Sequence, residues 1–91
     1  MRYPKQLGTI GKTKRGNIML TNLKGESFNV HETVAYIWDN ATGTRTIKEI
    51  SDSLIEALKI EEAGQEAERE NVILALRSLE RKSLIEYRQG K

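Results

Sequence analysis

The sequence predicts an α+β domain of winged helix-turn-helix type, with a small antiparallel sheet of two or three strands packed on three α-helices. Three observations carry that expectation. Residues 46–58 read as a sharply capped amphipathic helix, residues 32–41 and 65–82 repeat the helical period on either side, and residues 17–30 alternate around a glycine turn. An isolated hairpin is marginal in water, so a sheet this small needs the helical layer to cover one face.

Taken in order, the chain opens with a basic arm. Residues 1–16 are weakly patterned and interrupted by Pro4, Gly8, Gly11 and Gly16, and a short strand over 7–12 is the regular element they suggest. From Asn17 to Asn22, Ile18 and Leu20 fall on one face and Met19 and Thr21 on the other. Leu23-Lys24-Gly25-Glu26 supplies a turn, with Gly25 for a positive φ, and Phe28 and Val30 then alternate with Ser27 and Asn29 to close a hairpin.

His31 stands at an N-cap position, Glu32 favours the positive end of the helix dipole, and Val34, Ile37, Trp38 and Ala41 share a face. Asn40 to Arg45 forms the next turn, in which Gly43 can end the preceding helix in a left-handed conformation. Thr46 and Glu49 then form the T-x-x-E pattern of a capping box. Behind it Ile47, Ile50, Leu54 and Leu58 make one apolar stripe with Ser51 beside them, while Lys48, Glu49, Asp52 and Glu56 face water.

Glu61 to Gly64 reads as an acidic interruption, and Gln65 to Lys82 as the longest helix. Val72, Leu76 and Leu79 form its buried face with Ala75 at the edge. Ile73 lies on the flank beside Arg69, Arg77 and Glu80, and Leu74 points nearly opposite the core. Residues 84–88 look like a last strand, and residues 89–91 are expected to fray.

Ninety-one residues make one domain spanning 1–91, able to bury roughly 60–65% of its unfolded surface. The chain has no cysteine, no apolar run of transmembrane length and no apolar signal segment, which together predict a protein of the reducing cytoplasm without a membrane association. Net charge is +2, but residues 1–24 hold six basic side chains and no acidic one. Such an arm suits nucleic acid, an acidic peptide or an acidic protein face.

Catalytic chemistry finds little to work with. His31 is the single histidine, and no second histidine or cysteine exists to complete a metal set. Glu61, Glu62, Glu66, Glu68 and Glu70 read as a solvated helix entrance, with nothing apolar nearby to raise a pKa. Phosphate-loop, dinucleotide, nucleophile-elbow and zincin motifs do not occur. The expectation is a protein that is no enzyme, with no catalytic residue, cofactor or metal. DNA binding is the alternative, but those glutamates would repel phosphates at the end of the helix that enters the major groove. A peptide-binding module is the third reading: an exposed sheet edge accepts an extended chain, and Ile73 would wall a groove against the hairpin.

Two stretches, Val30 to Leu54 (VHETVAYIWDNATGTRTIKEISDSL) and Val72 to Glu86 (VILALRSLERKSLIE), resemble the coenzyme PQQ synthesis protein D (PqqD) family. The pieces that carry the likeness are Thr33, Ile37 and Trp38, then Gly43, Thr46, Glu49 and Ile50, then Leu79, Leu84 and Ile85. His31, Asn71 and Ser83 depart from the pattern, standing where that family has Asn, Asp and Gly. The resemblance implies a recognition element for ribosomally made, modified peptides. Such a protein binds the leader of a precursor peptide as an added strand and presents it to a modifying enzyme, a radical SAM enzyme in the PQQ pathway. Carried onto this chain, the leader would lie along Glu26, Ser27, Phe28, Asn29 and Val30 and against Arg69, Ile73, Arg77 and Glu80. The oligomeric state, monomer or dimer, is not legible in the sequence.

Overall fold

The computed structural model describes residues 2–89. In chain order these form β1 (Arg2–Gln6), β2 (Thr9–Lys12), β3 (Ile18–Thr21), β4 (Ser27–Val30), α1 (Glu32–Asn40), α2 (Ile47–Leu58), α3 (Glu62–Arg81) and β5 (Ile85–Gln89). The class is α+β, with three helices and small antiparallel sheets. Strands β2, β3 and β4 lie in that order in one three-stranded sheet, while β1 pairs with β5 in a second sheet of two.

The amino-terminal segment departs from expectation. Residues 2–12 are not a weakly structured arm but two strands, and Met1 lies outside the described residues, as do Gly90 and Lys91 at the other end. β1 pairs Pro4 with Tyr87 and Gln6 with Ile85, so its partner lies at the far end of the chain. Its other border meets the α1–α2 turn, where the Gly43 amide donates to the Pro4 carbonyl at 2.9 Å. Pro4 lacks an N–H and still fits, because its carbonyl alone is needed there. Gly8 has φ +89°, and a Cβ on it would collide with the Thr21 carbonyl, which explains a glycine between β1 and β2.

One core joins the layers. Leu20 of β3, Ile37 and Trp38 of α1, Ile50 and Leu54 of α2, Val72, Leu76 and Leu79 of α3, and Leu84 and Ile85 at β5 are all buried. Each aliphatic side chain of this kind contributes about 1.5–3 kcal/mol relative to exposure. The Trp38 indole N–H donates to the Leu84 carbonyl at 2.9 Å, and the Leu7 amide donates to the same carbonyl at 2.8 Å.

The amino-terminal ends of α1 and α2 follow their sequence signals. The His31 Nδ1 accepts from the Thr33 amide at 3.2 Å. The Thr46 Oγ1 accepts from the Glu49 amide at 3.1 Å, and the Glu49 carboxylate accepts from the Thr46 amide at 2.9 Å. That backbone N–H, followed by the Thr46 side chain, holds the Glu49 carboxyl below the usual range. The Arg69 guanidinium, then Lys48, does the same for Asp52 on the next turn. Both carboxylates therefore favour the fold above the ordinary carboxylate range and lose that contribution as pH falls through their lowered values. Thr46→Ala should lower stability by about 0.5–2 kcal/mol, read as a shift in the urea midpoint with an unchanged slope. A midpoint equal to that of the parent would contradict the cap.

α3 begins at Glu62, three residues earlier than the sequence suggests, and runs through Gly64. A side chain at this position would stand only 3.2 Å from Ile60 Cγ2, so the glycine gives Ile60 room. After α3, Ser83 takes φ +59°, so the left-handed turn into β5 is kept without glycine.

Candidate functional site

The three-stranded sheet offers an edge beside the helices. β3 pairs with β4 in the register Ile18↔Val30, Met19↔Asn29, Leu20↔Phe28 and Thr21↔Ser27. The turn fixes which backbone groups are used. The Asn22 amide donates to the Glu26 carbonyl at 2.9 Å and the Gly25 amide to the Asn22 carbonyl at 3.1 Å, with Gly25 at φ +85°. Counting by twos from that closed pair, Phe28 and Val30 direct their N–H and C=O groups to β3. Those of Ser27 and Asn29 point the other way, to the border of the sheet. Among the described residues, no backbone hydrogen bond from another element reaches them.

Side chains follow the same alternation. Phe28 and Val30 turn inward onto the core, and Ser27 and Asn29 are exposed on the outer face. The Ser27 and Thr21 hydroxyls meet at 2.8 Å across the hairpin, as side chains do at a wide pair. Glu26 sits at the mouth of the turn, its carboxylate accepting from the Asn22 amide group at 3.0 Å.

Asn22 ties this hairpin to α3. It is 4% exposed, and its Nδ2 donates to the Lys82 carbonyl at 2.7 Å. Its Oδ1 accepts from the Lys24 and Glu26 amides at 2.9 and 3.0 Å. Lys82 then reaches back over the strand: its Nζ lies 5.6 Å from the Phe28 ring centroid and donates to the Ser78 hydroxyl at 3.0 Å. The side of α3 that meets the hairpin thus carries Lys82, with Ser78 and the half-buried Ala75 along the same flank.

The flank singled out by sequence lies elsewhere. Arg69 pairs with Asp52 of α2, and Ile73 borders a hollow of about 300 Å³ with Ile47, Lys48 and Ser51, also of α2. Glu80 and Arg77 lie by Tyr87 of β5, whose phenol is pushed up by burial and then by the Glu80 carboxylate. Ile73 and Lys82 are nine residues apart, which is two and a half turns, so they occupy opposite sides of the helix. The structure therefore does not bring Glu26–Val30 together with Arg69, Ile73, Arg77 and Glu80. The first set lines the sheet border and the second faces α2 and β5. Beside β4 stands Lys82, over Phe28, and the helical period puts Ser78 and Ala75 on the same side of α3.

The remaining titratable groups are spread out. His31 rims a separate hollow of about 220 Å³ between α1 and α2, with Tyr36 and Leu54, and its Nδ1 is occupied by the cap. Among the described residues no three His, Cys, Asp or Glu side chains group so as to hold a metal ion. No described helix is long and apolar enough to cross a membrane. No protein-family model matches the chain, and no match is found among curated proteins or solved structures.

Proposed function

We propose that this protein is a non-catalytic recognition element that takes an extended peptide as a fourth strand on the border of β4, alongside α3. The observation that carries the reading is the outward pair of backbone donors and acceptors at Ser27 and Asn29. An incoming chain would pair with them, the backbone giving affinity and the Ala75–Ser78–Lys82 side of α3 giving selection among side chains. Lys82, held over Phe28, offers a cation to an acidic or carbonyl group of the peptide. The PqqD resemblance supports the same role and adds the expectation that the peptide is a precursor leader presented to a modifying enzyme of the radical SAM type. Docking a leader in this way makes its remaining segment an effectively intramolecular substrate of that enzyme. A small interface of this kind favours exchangeable, micromolar binding.

The test uses peptides translated from short reading frames beside the gene, titrated by calorimetry and followed by amide hydrogen exchange. A binding peptide should slow exchange at Ser27 and Asn29. Asn29→Pro removes a donor that β3 does not use, so the fold should survive while binding falls by at least about tenfold. Phe28→Pro removes a donor paired to β3 and should unfold the hairpin. Binding unaffected by Asn29→Pro would overturn the reading. Affinity for any duplex DNA with a steep salt dependence, in place of peptide binding, would favour the winged-helix alternative.

A further inference from the structure

The outer face of α3 carries a pattern that neither the core nor the β4 border uses. Ile73 is 39% exposed and Leu74 57% exposed, and with Glu70 and Arg77 they line a surface depression of about 230 Å³. Glu66 and Arg81 extend the same stripe, both exposed, one turn further out at either end. The spacings of three and four residues keep all six side chains on one seam of the helix. Lys82, which marks the hairpin side, is well off that seam.

Charge is distributed along the seam with a sense. Its amino-terminal half is acidic, its centre aliphatic and its carboxy-terminal half basic. Within one chain the acidic start and basic end suit the helix dipole, but Glu66 and Glu70 are like charges four residues apart and repel, and so do Arg77 and Arg81. Among the described residues none of these four charges takes part in a salt bridge. An antiparallel second copy of the helix reverses the situation. With the two-fold axis passing between Ile73 and Leu74, Ile73 meets Leu74 of the other chain, Glu70 meets Arg77, and Glu66 meets Arg81. Each contact occurs twice, as a two-fold axis requires.

We infer that the α3 outer face is a self-association surface, closed by a second copy of this chain in an antiparallel helix pair. Like charges that repel along the monomer helix become cross-chain pairs flanking an apolar centre, which also fixes register and direction. The surface is one helix wide, so the dimer belongs at the small, exchangeable end of interfaces. It leaves the β4 border open, and two peptides could be held at once.

Sedimentation velocity of the full chain across roughly 10 μM to 1 mM should show concentration-dependent dimerisation that weakens as salt is raised. Glu70→Arg alone, or Arg77→Glu alone, turns two attractive contacts into two repulsive ones and should raise the dimer dissociation constant at least about tenfold. The two single variants mixed together restore complementarity at both positions and should associate as a heterodimer. Circular dichroism checks that each variant keeps its helices. A parent that stays monomeric throughout, single variants that associate like the parent, or folded variants that fail to associate when mixed would each overturn the assignment.

Discussion

Trp38→Ala should cost about 3–5 kcal/mol and lower the melting temperature by roughly 15–30 °C. Trp38 is 3% exposed and sits where α1 meets β3, α3 and β5. Truncation removes a large buried ring and leaves a cavity that three helices and a sheet cannot all collapse into. A chain of this length has about 5–14 kcal/mol of stability in total, so the loss is a large fraction of it. Trp38→Phe separates the packing from the hydrogen bond. It keeps most of the volume but leaves the Leu84 carbonyl with the Leu7 amide as its remaining partner. Because that carbonyl stays half satisfied, the cost should be about 1–2 kcal/mol. Urea unfolding followed by far-ultraviolet circular dichroism measures both, since the variants lose the single tryptophan. A Trp38→Ala midpoint close to that of Trp38→Phe would mean that packing around the ring is looser than the structure shows.

Much of this architecture was legible because the signals were local. The Thr46–Glu49 box, the His31 cap and the Gly25 turn all read correctly, since each depends on residues within four positions of one another. The exposed aliphatics Ile73 and Leu74 were also placed correctly on α3 by helical period. What escaped was non-local. β1 carries no clean alternation and contains a proline, and it becomes a strand only because β5, at the other end of the chain, lies against it. Asn22 reads as the last residue of a short strand until the end of α3 arrives beside it. The same limit explains the site. The helical period puts Ile73 and Lys82 on opposite sides of α3 but does not say which side the hairpin meets, and Ile73's side was the wrong choice. The choice is made by the Asn22–Lys82 contact, between residues sixty positions apart.

Asn22→Ala should therefore do more than destabilise. It removes four side-chain hydrogen bonds at 2.7–3.0 Å, of which the one to the Lys82 carbonyl is the sole tie from the turn to α3 among the described side-chain bonds. The Lys24 and Glu26 amides lie near the surface, where water can replace their partner, but the Lys82 carbonyl loses a donor in a half-buried place. The expected cost is about 2–4 kcal/mol. If α3 and β4 form the two sides of a peptide groove, binding should weaken as well, because the border is no longer held at a fixed distance from Lys82. Asn22→Asp gives the sharper test. Its carboxylate can still accept from the Lys24 and Glu26 amides, but when ionised it faces the Lys82 carbonyl and the Glu26 carboxylate, with no proton to donate. The two amide donors lower its pKa in the fold, but they lie near the surface, and burial with the two facing oxygens outweighs them and raises it above the unfolded value of about 3.9. A raised pKa means a contribution that is fully present below the unfolded value and lost as pH rises through the folded one. Relative to Asn22→Ala, the Asp variant should therefore gain stability on going from pH 7 to pH 4, as its protonated acid regains a donor for Lys82. Urea midpoints of both variants at the two pH values measure the difference. A gap that stays constant would show that residue 22 does not hold the hairpin to the helix through that carbonyl.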